Sequence, residues 1–308
     1  MIKKSTPFVS IILVSYNSAS YTIDCIESIR KETKDDSYEI IVVDNNSEPA
    51  DRDRLLSISE TDKVKLVSSC INLGFAGGNM LGVQQARPDS EYYFLLNNDT
   101  LFRNDVCGLL SAFLEINTQV GVCTPQTYKG DGSMDHSFAY FPSLGINVLG
   151  TAFMRLVEPN AYPDKKKEYT EPITVPVVTG SAMFIRGSVL RQLGGLDTTH
   201  FLYCEEEDFC LRVKRAGWQS ALVPAAQFVH FAGGSGSQSW TVRREFYISL
   251  FHYFRKYHSP IERAALRVFY ALKNARKVFR DREFGRLAWF ILRGAPMAES
   301  LRYRQQIR

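Results

Sequence analysis

A doubly wound α/β fold, with a mostly parallel sheet and helices on both of its faces, is the architecture this 308-residue sequence predicts. Three observations carry that expectation. Near-continuous apolar runs at 8–14, 39–43 and 92–96 read as strands buried on both faces. Stretches with helical spacing separate them, so strand alternates with helix. Each run ends in a short cluster of amides and carboxylates: Ser15-Tyr16-Asn17, Asp44-Asn45-Asn46-Ser47 and Asn97-Asn98-Asp99-Thr100. Ligands of such sheets bind outside the carboxyl ends of the strands. An edge lined this way suits a nucleotide, its diphosphate and a divalent cation.

The elements follow in order. After the first strand, Tyr21, Cys25, Ile26 and Ile29 recur near 3.6 spacing and predict a helix over 19–31. The second strand precedes a polar helix over 51–59 and a short strand over 63–67. The segment 72–79, Asn-Leu-Gly-Phe-Ala-Gly-Gly-Asn, then leads into a helix that Pro88 closes. A fourth strand, a helix over 105–115 and a strand over 120–123 continue the pattern. Residues 128–172 are rich in Gly, Pro, Tyr and Lys and predict a long irregular insertion, functional or merely surface. Apolar order returns over 173–186, followed by a helix ending at Gly194-Gly195. An acidic segment over 201–208 opens a helix that stops at Gly217, and a short strand over 220–223 precedes His230 and a glycine-serine loop over 233–237.

These elements divide the chain into a catalytic domain over 1–240 and a basic, amphipathic helical region over 241–308. The second region holds 16 Lys or Arg against 5 Asp or Glu, an excess of 11 cations. The net charge of +4 therefore leaves about −7 on the first 240 residues. Two apolar stripes are expected there, Tyr247-Leu250-Phe251-Phe254 and Ala265-Phe269-Leu272-Phe279. Helices packed on the catalytic domain and an amphipathic contact with a membrane surface both fit this pattern. No run of about 18 apolar residues suggests a spanning helix, and the start of the chain lacks a secretory h-region, so a cytoplasmic protein is expected. The six cysteines form no C-x-x-C pair, which argues against a zinc site; Cys25, Cys70 and Cys107 read as buried thiols.

The clusters suggest chemistry. Asp44 is placed to accept from the ring N–H of uracil, thymine or guanine, with Tyr16 against the base. Ser15, Asn17, Asn46, Asn97 and Asn98 fill out the same rim. Asn72 and an expected turn at Gly77-Gly78-Asn79 would let backbone N–H groups approach a sugar or phosphate. Asp99 is the metal-ligand candidate for Mg²⁺ or Mn²⁺, with His230 completing the shell. Glu205, Glu206, Glu207 and Asp208 crowd four carboxylates at a helix start; crowding raises their pKa values, which suits a general base. No G-x-x-x-x-G-K-[ST] and no G-x-G-x-x-G after the first strand occur, which excludes a P-loop enzyme and argues against a dinucleotide oxidoreductase.

The ordered series from Val14-Ser15-Tyr16-Asn17 through Asp44-Asn45-Asn46-Ser47, residues 72–79, Leu96-Asn97-Asn98-Asp99-Thr100 and Gly194-Gly195-Leu196-Asp197 to residues 201–208 resembles family 2 glycosyltransferases, nearest the bacterial rhamnosyltransferase-like members. The resemblance implies a GT-A fold and inverting transfer of a sugar from a nucleoside diphosphate donor (dTDP-, UDP- or GDP-linked) to a hydroxyl of a saccharide or lipid-linked acceptor. It implies Asp44 at the base, Asn72 and Asn79 near the donor, and Asp99 as the metal carboxylate of a D-x-D-like motif. The second member of the family's Glu-Asp pair falls on Glu206 as catalytic base, with Glu205 and Asp208 as alternatives, and His230 matches a metal-coordinating histidine of some members. Asn97 stands where the first Asp of D-x-D is usual, and Glu206 where the base is usually Asp. Nucleic acid is not expected as a partner; peripheral contact with the inner face of the membrane, and an oligomer, are compatible. Two rivals are a non-catalytic nucleotide-sugar binding subunit and a sugar nucleotidyltransferase. Ser15-Tyr16-Asn17-Ser18 lacks the basic Gly-rich loop that the latter needs.

Overall fold

The computed structural model describes residues 7–59, 63–231 and 239–307, so the loop expected over 233–237 lies outside the described residues. The first half runs β1 (Val9–Ser15), α1 (Ala19–Glu32), β2 (Tyr38–Asp44), α2 (Pro49–Ser59), β3 (Val64–Ser68), α3 (Gly74–Gln85), β4 (Tyr92–Asn97), β5 (Thr100–Phe102), α4 (Val106–Ile116) and β6 (Val120–Tyr128). Then come β7 (Phe138–Ala139), α5 (Leu144–Leu149), α6 (Thr151–Val157), β8 (Ile173–Thr174), β9 (Val177–Val178), β10 (Ala182–Arg186) and α7 (Gly187–Leu193). The chain continues through α8 (Glu205–Arg215), β11 (Gln219–His230), α9 (Trp240–Tyr257), α10 (Pro260–Ala275) and α11 (Glu283–Leu292), with two 3₁₀ turns beyond.

A nine-stranded sheet in the order β3-β2-β1-β4-β10-β6-β11-β5, with β8 also on β11, forms the centre. β3, β2, β1 and β4 are parallel, β10 is inserted antiparallel between β4 and β6, and β11 is parallel to β6. The alternation of strand side chains splits the core into two layers. One holds Ile11, Leu13, Phe94 and Phe184 under α1 and α4; the other holds Ile12, Leu95, Met183 and Phe209 under α3, α7 and α8. Gly82 belongs to the second layer for a packing reason, since a Cβ there would lie 2.3 Å from Ile12.

Several expectations need correction. The insertion over 128–172 carries β7, α5 and α6, held by an aromatic set of Phe138, Tyr140, Tyr162 and Tyr169 that the loop-like composition concealed. The strand expected over 220–223 continues to His230, because a register shift between Val223 and Gln227 absorbs Pro224. The expected turn at Gly77-Gly78-Asn79 is the interior of α3, where Gly78 sits against Val14. Cys25 and Cys107 are buried, but Cys70 is exposed. The first C-terminal stripe is buried as expected, whereas the second is out of phase. α10 buries Leu266, Tyr270, Ala271 and Asn274, while Leu272 and Phe279 face solvent.

The C-terminal helices share a third core with Tyr203 and Cys204, the residues just before α8. α10 begins with a capping box between Ser259 and Glu262 and with Pro260 in the first turn, which fixes where α9 ends and α10 turns back. No helix among the described residues is long and apolar enough to cross a membrane.

Candidate active site

The parallel register sets the site's first row. Ser15, Asp44 and Ser68 face one another at the carboxyl ends of β1, β2 and β3, and Asn97 ends β4 one step back, opposite Val14. Behind this row the polar groups are spent on one another. Asp44 is buried and its carboxylate accepts the Ser47 N–H at 3.0 Å. Asn45, a residue the sequence reading did not single out, ties two turns together. Its amide donates to Asn72 Oδ1 (3.0 Å) and the Gly74 carbonyl (3.2 Å), and its Oδ1 accepts the Leu73 N–H at 2.8 Å. Asn17 and Asn46 both hold positive φ, as Asn does most readily among non-glycine residues. The Asn17 side chain accepts the Glu48 N–H at 2.7 Å, and Asn46 donates to the Gln306 carbonyl at 2.8 Å. That last bond brings the end of the chain to the same edge, which nothing local in the sequence announces.

Other rim residues face inward. Asn98 donates to Ser18 Oγ at 2.7 Å and Thr22 Oγ1 at 2.8 Å, and Ser15 accepts from Thr22, so these groups brace the start of α1. Asn79 is fully buried, with its amide on the Phe75 carbonyl; Gly77 lies in α3, packed on Leu73. Tyr16, by contrast, stands half exposed on the rim.

The next corner joins β4, β5 and β11. His230 is the last residue of β11 and pairs with Thr100. Its Nε2 lies 3.2 Å from Asp99 Oδ1 and 3.2 Å from the Asn97 amide nitrogen. One ring nitrogen cannot donate to the carboxylate and accept from the amide at once. Turning the Asn97 amide over presents three lone-pair donors (imidazole, carboxylate and carbonyl) to one point, a set suited to Mg²⁺ or Mn²⁺. A second cluster brings ligand atoms of Asp197, His200 and His252 within 4.8 Å of one another. There the Lys256 ammonium already lies 2.7 Å from the Asp197 carboxylate and also bonds Asp208, so a built-in cation does the work of charge neutralisation.

The third corner is the start of α8. Gly74, at φ +72°, lets the 72–75 turn meet the 201 loop: the Phe75 N–H donates to the Phe201 carbonyl at 2.8 Å, and a Cβ on Gly74 would lie 2.1 Å from that oxygen. Tyr203 and Cys204 then adopt successive left-handed conformations that swing the chain into α8. Asn97 donates its N–H to the Ser181 carbonyl at 2.9 Å, and the adjoining Gly180 packs against the Glu206 carboxyl. The amide rim and the acidic turn are thus bonded to one sheet edge.

The acids differ in state. Asp208 is buried but receives bonds from Lys256 and Tyr257 and the charge of Arg212; against the cost of burial, these hold its pKa below the ordinary range. It is engaged on every side, and the sequence reading missed its helix α9 partners, which lie 48 and 49 residues away. Glu205, Glu206 and Glu207 each keep one buried oxygen without a hydrogen-bond partner. Burial pushes all three pKa values up, and mutual repulsion adds to it at Glu205 and Glu207. Glu206 rises least clearly of the three, because Glu207 and the Gly180 backbone both favour its charged form. It is also part-exposed, where Glu205 is buried.

The family profile described as glycosyl transferase family 2 matches residues 10–194. The chain belongs to glycosyl transferase family 2. It is 28% identical over 234 residues to the rhamnosyltransferase WbbL of Escherichia coli, covering 73% of this chain and 83% of that one. It is 26% identical over 243 residues to the N-acetylglucosaminyl-diphospho-decaprenol L-rhamnosyltransferase of Mycobacterium tuberculosis, covering 73% and 76%. Among solved structures it superposes on GalNAc-T7 with UDP, GalNAc and Mn²⁺ at a TM-score of 0.64 and 14% identity, spanning 94% of this chain and 57% of that one. The fold of this family 2 glycosyltransferase is therefore GT-A-like, as its motif series implied.

Proposed function

We propose that this glycosyltransferase is metal-dependent and inverting, and moves a sugar from a nucleoside diphosphate to a hydroxyl of a saccharide or lipid-linked acceptor in cell-surface polysaccharide biosynthesis. One observation carries the reading. A mixed nitrogen-and-oxygen corner at Asp99 and His230 and a part-exposed Glu206, whose carboxyl burial raises in pKa, meet at one strand end, through the Asn97–Ser181 bond and Gly180.

Asp44 takes the base and Tyr16 lies against it, while Ser15, Asn17, Asn46, Asn72, Gly77, Asn79 and Asn98 shape the rim from within. Asp99 and His230, with Asn97, would hold Mg²⁺ or Mn²⁺; a bound ion there neutralises charge on the departing diphosphate. Glu206 accepts the proton of the acceptor hydroxyl as its oxygen attacks the anomeric carbon from the face opposite the diphosphate. The carbon–oxygen bond to the diphosphate breaks and the configuration inverts. Glu205 supports Glu206 from the buried side, and Asp208 anchors the turn to α9 rather than taking the proton. The Mn²⁺ in the GalNAc-T7 structure supports the metal reading, and the two rhamnosyltransferase names support rhamnose as the sugar.

We read the basic region over 241–308 as contacting the inner face of the membrane. Phe279 and Trp289 are exposed among arginines there, which supports that placement.

The test is product identity. Incubation with dTDP-, UDP- and GDP-sugars and a saccharide acceptor should release a nucleoside diphosphate from one of them, with Mn²⁺ or Mg²⁺ present and not with a chelator. Release of pyrophosphate from a sugar phosphate and a nucleoside triphosphate would instead favour a nucleotidyltransferase.

A further inference from the structure

A cavity of about 400 Å³ opens between α9, α10 and α11 against Tyr203, two residues before the acidic turn. Its walls are apolar and aromatic: Val242, Phe246, Tyr247, Phe284 and Leu287. Asn274 lines it but is already committed to the Tyr247 hydroxyl and the Tyr270 carbonyl. Two cations complete the lining. Arg243 and Lys277 each lie over the ring of Phe284, at 5.1 and 5.2 Å from its centroid, and among the described residues neither has a carboxylate partner. Nearby Glu245 is turned away onto Ser300 and the Leu301 N–H. Each cation is attracted to the ring face while the two repel each other, so an anion bound beside them gains from both and relieves that repulsion. Tyr203 joins this cavity to the acids: its ring packs on Phe246 at 5.7 Å, while Glu205 and Glu206 add to burial in pushing its phenol up.

We infer that this cavity holds the phosphorylated end of an acceptor that carries an apolar chain, with phosphate oxygens on Arg243 and Lys277 and the first chain carbons along Phe246, Phe284 and Leu287. The sugar hydroxyl on the other side of the phosphate is thereby directed past Tyr203 toward Glu206. The inference rests on the glycosyl-transfer reading and adds to it which acceptor class the C-terminal helices select: a lipid phosphate or diphosphate rather than a free saccharide.

Farnesyl diphosphate is a soluble probe of both halves, with inorganic pyrophosphate and farnesol as its two parts. Calorimetry on the full chain should show farnesyl diphosphate binding at least about tenfold tighter than either part. Arg243→Gln with Lys277→Gln should remove about tenfold or more of that affinity and leave farnesol unchanged, while Arg243→Lys with Lys277→Arg keeps most of it. The conservative pair guards against a folding defect. Unchanged affinity in the Gln variant, no binding by the wild type, or pyrophosphate binding as tightly as farnesyl diphosphate would each overturn the assignment. The same wild-type preparation is titrated with the nucleotide sugars. Donor binding without farnesyl diphosphate binding removes only the acceptor pocket, whereas loss of both removes the glycosyl-transfer reading itself.

Discussion

The amide rim around Asp44 and the acidic turn at Glu205–Glu207 share one sheet edge but treat their polar groups in opposite ways. In the rim, Asn45 makes three hydrogen bonds, and Asp44, Asn72, Asn17 and Asn46 each have at least one. At the turn, three carboxyls are gathered with one unpartnered oxygen each, and the two residues before them have left-handed backbones. A satisfied network holds its shape before a ligand arrives, which is what recognition needs. A carboxyl of raised pKa is a stronger proton acceptor than an ordinary one, which is what a general base needs. On the proposed reading, the contrast separates binding from chemistry along one sheet edge.

Disrupting the joint between the two halves should have the largest effect. Asp99→Ala should lower transfer by about a thousandfold or more, the scale of several kcal/mol of charge neutralisation, and remove the metal's contribution to donor affinity. Calorimetry with and without Mn²⁺ reads this; equal donor affinity under both conditions in the wild type would separate Asp99 from the metal. Next comes the pH profile. Because burial raises Glu206 above its ordinary 4.5, the acid limb of the transfer rate should lie above pH 4.5 and fall as the carboxyl protonates. A rate flat down to pH 4 would contradict a base of that kind.

Stability experiments sharpen the same contrast. Asn45→Ala leaves buried N–H and carbonyl groups unpaired and should cost about 1–3 kcal/mol in chemical denaturation. Glu207→Gln should act the other way. A carboxyl whose folded pKa is raised costs nothing below its unfolded value of 4.5, and progressively destabilises the fold as pH rises from there toward the folded value. The melting temperature of Glu207→Gln should therefore match the wild type near pH 4.5 and exceed it at pH 7. A lower value at pH 7 would mean that the ionised group stabilises the turn. The smallest effect concerns thiols. Cys70 should react with a disulfide reagent in the native protein while the other five stay protected.

What the sequence disclosed follows from how local each cause is. Strands ending in Ser15, Asp44 and Asn97 are visible because burial on both faces writes a continuous apolar run, and the polar cluster follows at once. Helices α1 and α4 are legible from spacing and, for α4, from the Asp105 cap. The second stripe of α10 was misphased because apolar residues lie on both its faces, Leu266 and Tyr270 inward and Val268 and Leu272 outward. Composition cannot tell those faces apart. Lys256 and Tyr257 as partners of Asp208, and Gln306 as partner of Asn46, are long-range contacts that leave no periodic trace. The role of Gly74 was invisible for a like reason: its necessity comes from the Phe201 carbonyl, far along the chain.

The most direct test of the two-part edge is Glu206→Gln, measured for donor affinity and turnover in the same preparation. The expected result is a donor affinity within about twofold of wild type and a turnover reduced by about 10²–10⁴, the usual contribution of a positioned base. Turnover near the wild-type rate, or donor affinity lost in step with turnover, would contradict the division of binding and proton transfer between the amide rim and the acidic turn.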